Sequence, residues 1–201
     1  MSVFAKLMGT SSIALASFLS FKTFNAEGNT AENIKVVTKS GICIMIPHNK
    51  SGVKGLVSFH QKGYSAPTQI VANITGLNPN SNHGLHIHEF GDLTNGCVTA
   101  GPHFNPDNQQ HGGPFDKVRH VGDFGNIKTD EKGNGFMAMD DEQITLFGEK
   151  SIIGRSVVVH EKEDDLGRGE NEESKKTGNS GARLACGIIG LTDKFKNLPP
   201  A

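Results

Sequence analysis

The 201-residue chain carries 20 Lys and Arg against 21 Asp and Glu, for a formal net charge of -1. That length provides one domain with appendages and enough chain to bury a core, and the balanced charge gives no electrostatic basis for binding nucleic acid or an acidic surface. The 25 glycines, no tryptophan and one tyrosine, Tyr64, set among short apolar runs, favour an all-β chain with many turns.

Residues 1–26 contain no Asp or Glu, and Lys6 precedes an apolar and small-residue run from Leu7 to Phe21 broken by Gly9 and serines. The run is too short and too broken to span a membrane. It reads as a secretory signal peptide, with an organelle leader as the rival; the absence of arginine counts against the latter. A cytoplasmic location is the remaining alternative. Residues 27–36 are polar and read as a linker, 37–193 as the folded domain, and 194–201 as a frayed tail.

Within the domain, Ile42 to Ile46 is a short apolar strand, followed by a turn from Pro47 to Gly52. Val57 and Phe59 alternate with Ser58 and His60, and Ile70, Ala72 and Ile74 alternate with Val71, Asn73 and Thr75; both are strand patterns. Leu85 and Ile87 alternate with His86 and His88. Residues 91–126 have little periodicity and much Gly, Pro, Asn and His, and a loop of that length inside a domain is usually functional. Strand signals return at Gly135 to Met139, Ile144 to Leu146 and Ser156 to His160. A second long, charged loop covers 161–181, and Leu184 to Leu191 is the last strand. About eight short strands and two long functional loops predict a Greek-key β-sandwich or barrel.

Chemistry concentrates between His86 and Asp123, which hold five of the nine histidines. Residues two apart on a strand share a face. His86 and His88 therefore lie side by side while Leu85 and Ile87 face the core, and a stiff imidazole pair suits a transition metal. His160 closes the run Val157 to Val159 and can join them from a neighbouring strand. His103, His111, His120 and Asp123 sit in the long loop, and three imidazoles with one carboxylate make a closed shell suited to zinc. His48, His60 and His83 read as solvated or core-satisfied side chains. The three cysteines, Cys43, Cys97 and Cys186, form no CxxC pair, which leaves either one disulfide with a free thiol or three thiols.

Three stretches resemble the copper/zinc superoxide dismutases: Gly84 to Asp92, Gly101 to Pro106, and Gly187 to Gly190 after Cys186. The resemblance spans about residues 40–191. It implies copper on His86, His88, His103 and His160, zinc on His103, His111, His120 and Asp123, and His103 as a bridge that also acts as a general acid. It implies that Asp164 ties His86 to His111, the outer acceptor that ligand histidines commonly need. Cys97 and Cys186 match the family disulfide, whose loop of about 90 residues is worth roughly 4 to 5 kcal/mol in the chain-entropy model. Cys43 is then a free thiol, inert between Ile42 and Ile44.

The same resemblance gives Arg183 the task of attracting and orienting superoxide beside copper. It assigns Glu172, Glu173, Lys175, Lys176 and Thr177 to a loop that shapes the field at the mouth. It implies a homodimer of C2 symmetry, for which the first strand has apolar residues on both faces: Ile42, Ile44 and Ile46 on one, Cys43 and Met45 on the other. Gly154 and Ile189 to Leu191 are expected nearby, and a copper chaperone is expected to load the site. Asn49-Lys50-Ser51 and Asn73-Ile74-Thr75 are glycosylation sequons if the leader enters the secretory path. A copper chaperone itself would need a cysteine pair, which is absent. A metal buffer would not need Arg183 or Asp164, and a zinc hydrolase would not need the His-x-His shell.

Overall fold

The computed structural model describes residues 36–193 and 195. The leader at 1–26, the linker up to residue 35 and the tail other than residue 195 lie outside the described residues. The strands are β1 (Thr38–Pro47), β2 (Lys54–Lys62), β3 (Thr68–Thr75), β4 (Asn82–His88), β5 (Thr94–Cys97), β6 (Asp123–Lys128), β7 (Gly135–Asp141), β8 (Ser156–His160) and β9 (Arg183–Thr192). One helical turn, α1 (Ser174–Thr177), lies in the second long loop. Among the described residues no helix is long and apolar enough to cross a membrane.

Eight strands form one antiparallel sheet in the order β6-β4-β8-β9-β1-β2-β3-β7, with β5 outside it. A bridge between Thr129 and Gly135 joins the two edges, so the sheet is a nearly closed barrel. Closure leaves few backbone groups exposed at an edge. Period-two alternation fills the interior: Val57 and Phe59, Ile70, Ala72 and Ile74, and Leu85 and Ile87 are all buried, and Phe59 meets Phe124 at 6.2 Å between ring centroids. On β1 the barrel takes Cys43 and Met45, leaving Ile44 67 % and Ile46 54 % exposed.

Three strand assignments differ from the sequence pattern: β5 and β6 lie inside the stretch 91–126 expected to be loop, and one expected strand is absent. Ile144 to Leu146 is not a strand. Ile144 and Leu146 are buried, but their N–H groups donate to Asp141 Oδ1 and Gln61 Oε1, each at 2.8 Å, so side-chain acceptors replace a ladder. The eighth strand is β6, inside the stretch expected to be loop. It holds only two apolar side chains, Phe124 and Ile127, around Gly125 at φ 77°, so no alternation marks it. Its first residue is Asp123, which places the carboxylate expected on the zinc side on the barrel wall.

Candidate metal centre

Barrel register positions the copper-side histidines. Leu85 pairs with Val159 and Ile87 with Val157 across β4 and β8, so these side chains enter the core and His86 and His88 turn the other way. A register shift between Val159 and His160, where β8 pairs with β9, sets His160 opposite Arg183. The outward face is itself covered by the long loops, so His86, His88 and His160 are buried rather than displayed. His88 Nε2 lies 3.3 Å from His160 Nε2, and the His86 and His103 rings are 4.0 Å apart between centroids. Donor atoms of His86, His88, His103 and His160 all lie within 4.8 Å of one another.

The opposite ring nitrogens are engaged. His88 Nδ1 donates to the Gly101 carbonyl at 2.8 Å, His160 Nδ1 to the Gly181 carbonyl at 3.2 Å, and His86 Nε2 to Asp164 Oδ2 at 2.8 Å. These bonds fix each ring so that its other nitrogen presents a lone pair inward. His83 serves the same site from behind, with Nδ1 2.9 Å from the His160 carbonyl. Burial pushes all four copper-side imidazoles toward the neutral, ligating form, and the charge of neighbouring His103 adds to this for His86, His88 and His160. His160 falls to about 3. His86 Nδ1 and His103 Nε2 are buried with no hydrogen-bond partner, a cost that a cation shared between these nitrogens would remove.

The zinc side converges on one oxygen. Asp123 Oδ1 lies 3.0 Å from His103 Nδ1, 3.0 Å from His111 Nδ1 and 3.2 Å from His120 Nδ1. His111 Nδ1 has no hydrogen-bond geometry despite that distance. The second group whose donor atoms lie within 4.8 Å of one another is His86, His103, His111 and Asp123, with His86 in place of His120. His86 Nε2 is committed to Asp164, however, while His120 Nδ1 faces both Asp123 and, at 3.4 Å, His103; the donor chemistry therefore favours His120. Asp123 Oδ2 accepts from the N–H groups of Gly112 and His120. Burial alone would raise the Asp123 carboxyl, but the three histidine nitrogens gathered around it hold it well below the carboxylate range. For His111, burial favours the neutral ring, but the adjacent carboxylates of Asp123 and Asp164 win and raise it to about 9.

Asp164 joins the halves. It is buried rather than a solvated member of the acidic run, with Oδ2 on His86 Nε2 and Oδ1 2.7 Å from His111 Nε2. Its backbone is pinned by Asn126 on β6, whose Oδ1 and Nδ2 bond the Asp164 N–H and C=O. Sequence reasoning missed Arg119, which is 3 % exposed. Its NH1 donates to the carbonyls of His120, Val121 and Asp123, and its NH2 to Asp141 Oδ2 at 2.7 Å. An arginine in a polar loop carries no sequence signal for such burial.

A cleft of about 420 Å³ opens onto this centre, lined by His88, His103, His160, Thr177 and Arg183 among others. The Arg183 guanidinium donates through NH1 to the carbonyls of Cys97 (2.6 Å) and Val98 (3.3 Å), and through NH2 to that of Gly101 (2.6 Å). Glu173 and Thr177 also reach this cleft, and Glu172 and Lys176 line an adjoining recess that includes His103 and His120. Cys97 and Cys186 are joined as a disulfide, and Cys43 is a free, buried thiol that burial pushes up to about 12. Four imidazoles on one side, three imidazoles and a carboxylate on the other, and one ring facing both are a donor set that fits copper beside zinc.

Comparison with known proteins gives the same answer. The family model described as copper/zinc superoxide dismutase matches residues 53–189. A Cu-Zn superoxide dismutase of Humicola lutea is 55 % identical over 148 residues, covering 74 % of this chain and 97 % of that protein. That of Botryotinia fuckeliana is 58 % identical over 141 residues (70 % and 92 %), and that of Saccharomyces cerevisiae 57 % over 143 residues (71 % and 93 %). With a family match across most of the barrel and identities of this size over nearly the whole length of the relatives, the chain belongs to the copper/zinc superoxide dismutase family.

Proposed function

We propose that this chain converts superoxide to dioxygen and hydrogen peroxide with the residues in the following roles. When bound, copper would supply the one-electron redox chemistry that superoxide dismutation needs, and zinc would supply charge and shape. His86, His88, His103 and His160 hold copper; His103, His111, His120 and Asp123 hold zinc. His103 belongs to both donor sets, with Nδ1 3.0 Å from Asp123 Oδ1 and Nε2 buried without a partner, and this single observation carries the reading. Nε2 is also the atom at which His103 can hold and pass on a proton beside the substrate. Asp164 keeps His86 and His111 in register, and Arg183 draws the anion into the cleft. Glu172, Glu173, Lys176 and Thr177 shape the field at its rim. Elemental analysis with superoxide-decay kinetics is the test: one copper and one zinc per subunit, with activity following copper, is expected. Zinc in both sites of fully active protein would sink the reading.

The assembly we propose is a C2 homodimer through the outer face of β1 and β9. Ile44 and Ile46 are exposed there, and so is Ile188 on the paired strand, while Leu191, also exposed, shares by strand parity the side of Ile189 near the end of β9. Ile189, expected at this surface, instead points into the core. Apolar residues clustered on one face call for cover. Sedimentation at micromolar concentration should give a dimer; a monomer would mean another segment covers the face.

A copper chaperone is the expected metal donor, since the copper-side nitrogens are buried. Reconstitution from a chaperone should fill the copper site selectively, where free metals fill both sites indiscriminately. The acid-free leader supports a secreted protein, and amino-terminal sequencing of native material decides between secretion and organelle import. On the secretory route Asn49, exposed in its turn at φ 53°, is the better glycan acceptor than half-buried Asn73. Glycosidase treatment of native protein should then shift the gel band.

A further inference from the structure

The structure points to His48 as a positioning residue for the anion-guiding arginine, a role that rests on the reading of Arg183 given above. His48 stands in the turn after β1 and touches none of the metal ligands. Its backbone N–H donates to the Leu184 carbonyl at 2.8 Å, and Ser51 Oγ of the same turn donates to that carbonyl at 2.6 Å. The turn is thereby tied to the residue that follows Arg183. Its side chain reaches the other way: His48 Nδ1 accepts the Cys97 N–H at 3.2 Å. Accepting there requires a neutral ring with its proton on Nε2.

Residue 97 is consequently held at three points. His48 takes its N–H, the disulfide to Cys186 takes its side chain, and Arg183 NH1 takes its carbonyl. The links close a ring: His48 to Leu184, along the chain to Arg183, across to Cys97, and back to His48. Arg183 leaves this ring toward the metal centre through NH2 on the Gly101 carbonyl, the same oxygen that accepts from His88 Nδ1. The acceptor on His48 thus helps fix the carbonyl that aims the guanidinium over the copper side. Gly96 makes room for it. A Cβ built there would lie 2.5 Å from His48 Nδ1, and the residue adopts φ 57°. Glycine meets both demands where an L side chain meets neither easily.

The experiment uses metal-loaded protein and azide, a small anion that reports on the same approach. Azide affinity is read from the copper absorption band for wild type, His48→Ala, His48→Asn and Arg183→Glu at equal copper and zinc content. Asparagine puts an acceptor oxygen where Nδ1 stood. His48→Ala should weaken azide binding about threefold, the scale of one neutral hydrogen bond partly transmitted, and His48→Asn should restore it. In copper-free, zinc-loaded protein the guanidinium resonances of Arg183 should broaden in His48→Ala and sharpen again in His48→Asn. Unchanged azide affinity in His48→Ala, or an equal loss in His48→Asn, overturns the proposal. If Arg183→Glu also leaves azide affinity unchanged, the guidance role itself has failed and the proposal falls with it. A loss in Arg183→Glu without one in His48→Ala overturns the role of His48 alone.

Discussion

His86, His88 and His160 project from β4 and β8, whereas His103, His111 and His120 hang on the loop that runs from β5 to β6. The strand-borne set is placed by core packing: Leu85, Ile87, Val157 and Val159 are fully buried, and their register fixes the histidines between them. His103 is tied to β4 by an antiparallel bridge to His88, with the Phe104 N–H on the Ile87 carbonyl, whereas His111 and His120 lie outside any strand ladder. Those two are placed by polar side chains: Asp123 at the start of β6, Asp164 from the second long loop, and Arg119 beside His120. Apolar register survives the loss of one polar partner, but a polar loop loses its geometry with each partner removed. The copper half should therefore be preformed, and the zinc half should depend on its charges.

The largest expected effect attacks the zinc half at its centre. Asp123→Ala removes the oxygen on which three imidazole nitrogens converge and the acceptor for two backbone N–H groups. Zinc binding should weaken by more than the about 100-fold typical of losing an outer partner. Competition with a chelator measures it, and copper EPR on the same protein reports the other half. Should copper affinity fall by the same factor, the two halves are one cooperative unit and the contrast is broken.

Next in size is Arg183, which belongs to the strand-held half because it begins β9 opposite His160. Superoxide offers few contacts beyond its charge, so encounter controls the rate. Arg183→Glu should keep metal content and fold but lower the second-order rate about 10- to 100-fold, while Arg183→Lys loses much less because the sign of the charge survives. Added salt should slow the wild type more than the glutamate variant. Equal rates in all three proteins would reduce Arg183 to a surface residue.

Arg119 sharpens the contrast further. It clamps three carbonyls around the proposed zinc ligands against Asp141, at the far end of β7. Asp141→Asn leaves that buried cation without its counter-charge, which is strongly destabilising in general. Zinc affinity should drop about tenfold with copper affinity barely changed. A titration showing copper and zinc weakened together would count against separate supports for the two halves.

The same division explains what could be read from the chain. His86, His88 and His160 were legible because strand alternation dictates which way they face, and the barrel followed from the other alternating runs. β6 was not, since Gly125 and two apolar residues show no period. Ile144 to Leu146 looked like a strand because its apolar residues are spaced as in one, yet they plug the barrel from a turn. Arg119 was invisible for a deeper reason. Its burial depends on carbonyls that only the folded loop turns inward, and no local pattern encodes that. His48 looked bland for the same cause: its partner, Cys97, is 49 residues away.

Cys43 gives the smallest expected effect and the most direct reading of whether the barrel stands without the loop. Its thiol faces the core from β1, and burial raises it from 9.0 to about 12, against a weaker lowering from a backbone hydrogen bond at Val157. Only the thiolate reacts with alkylating reagents. At pH 8 iodoacetamide should label Cys43 neither in metal-loaded protein nor in the zinc-free Asp123→Ala protein, and labelling should appear only with global unfolding. The linkage has a definite sign. Above about pH 9 the unfolded thiol gives up its proton while the folded one keeps it, so stability should fall as pH climbs from 9.0 toward about 12, and Cys43→Ala should flatten that fall. Mass spectrometry of labelled protein checks the first expectation, and denaturant midpoints against pH check the second. Rapid labelling of the zinc-free variant at pH 8 would show that emptying the loop opens the barrel, and the strand-held half would lose its claim to independence.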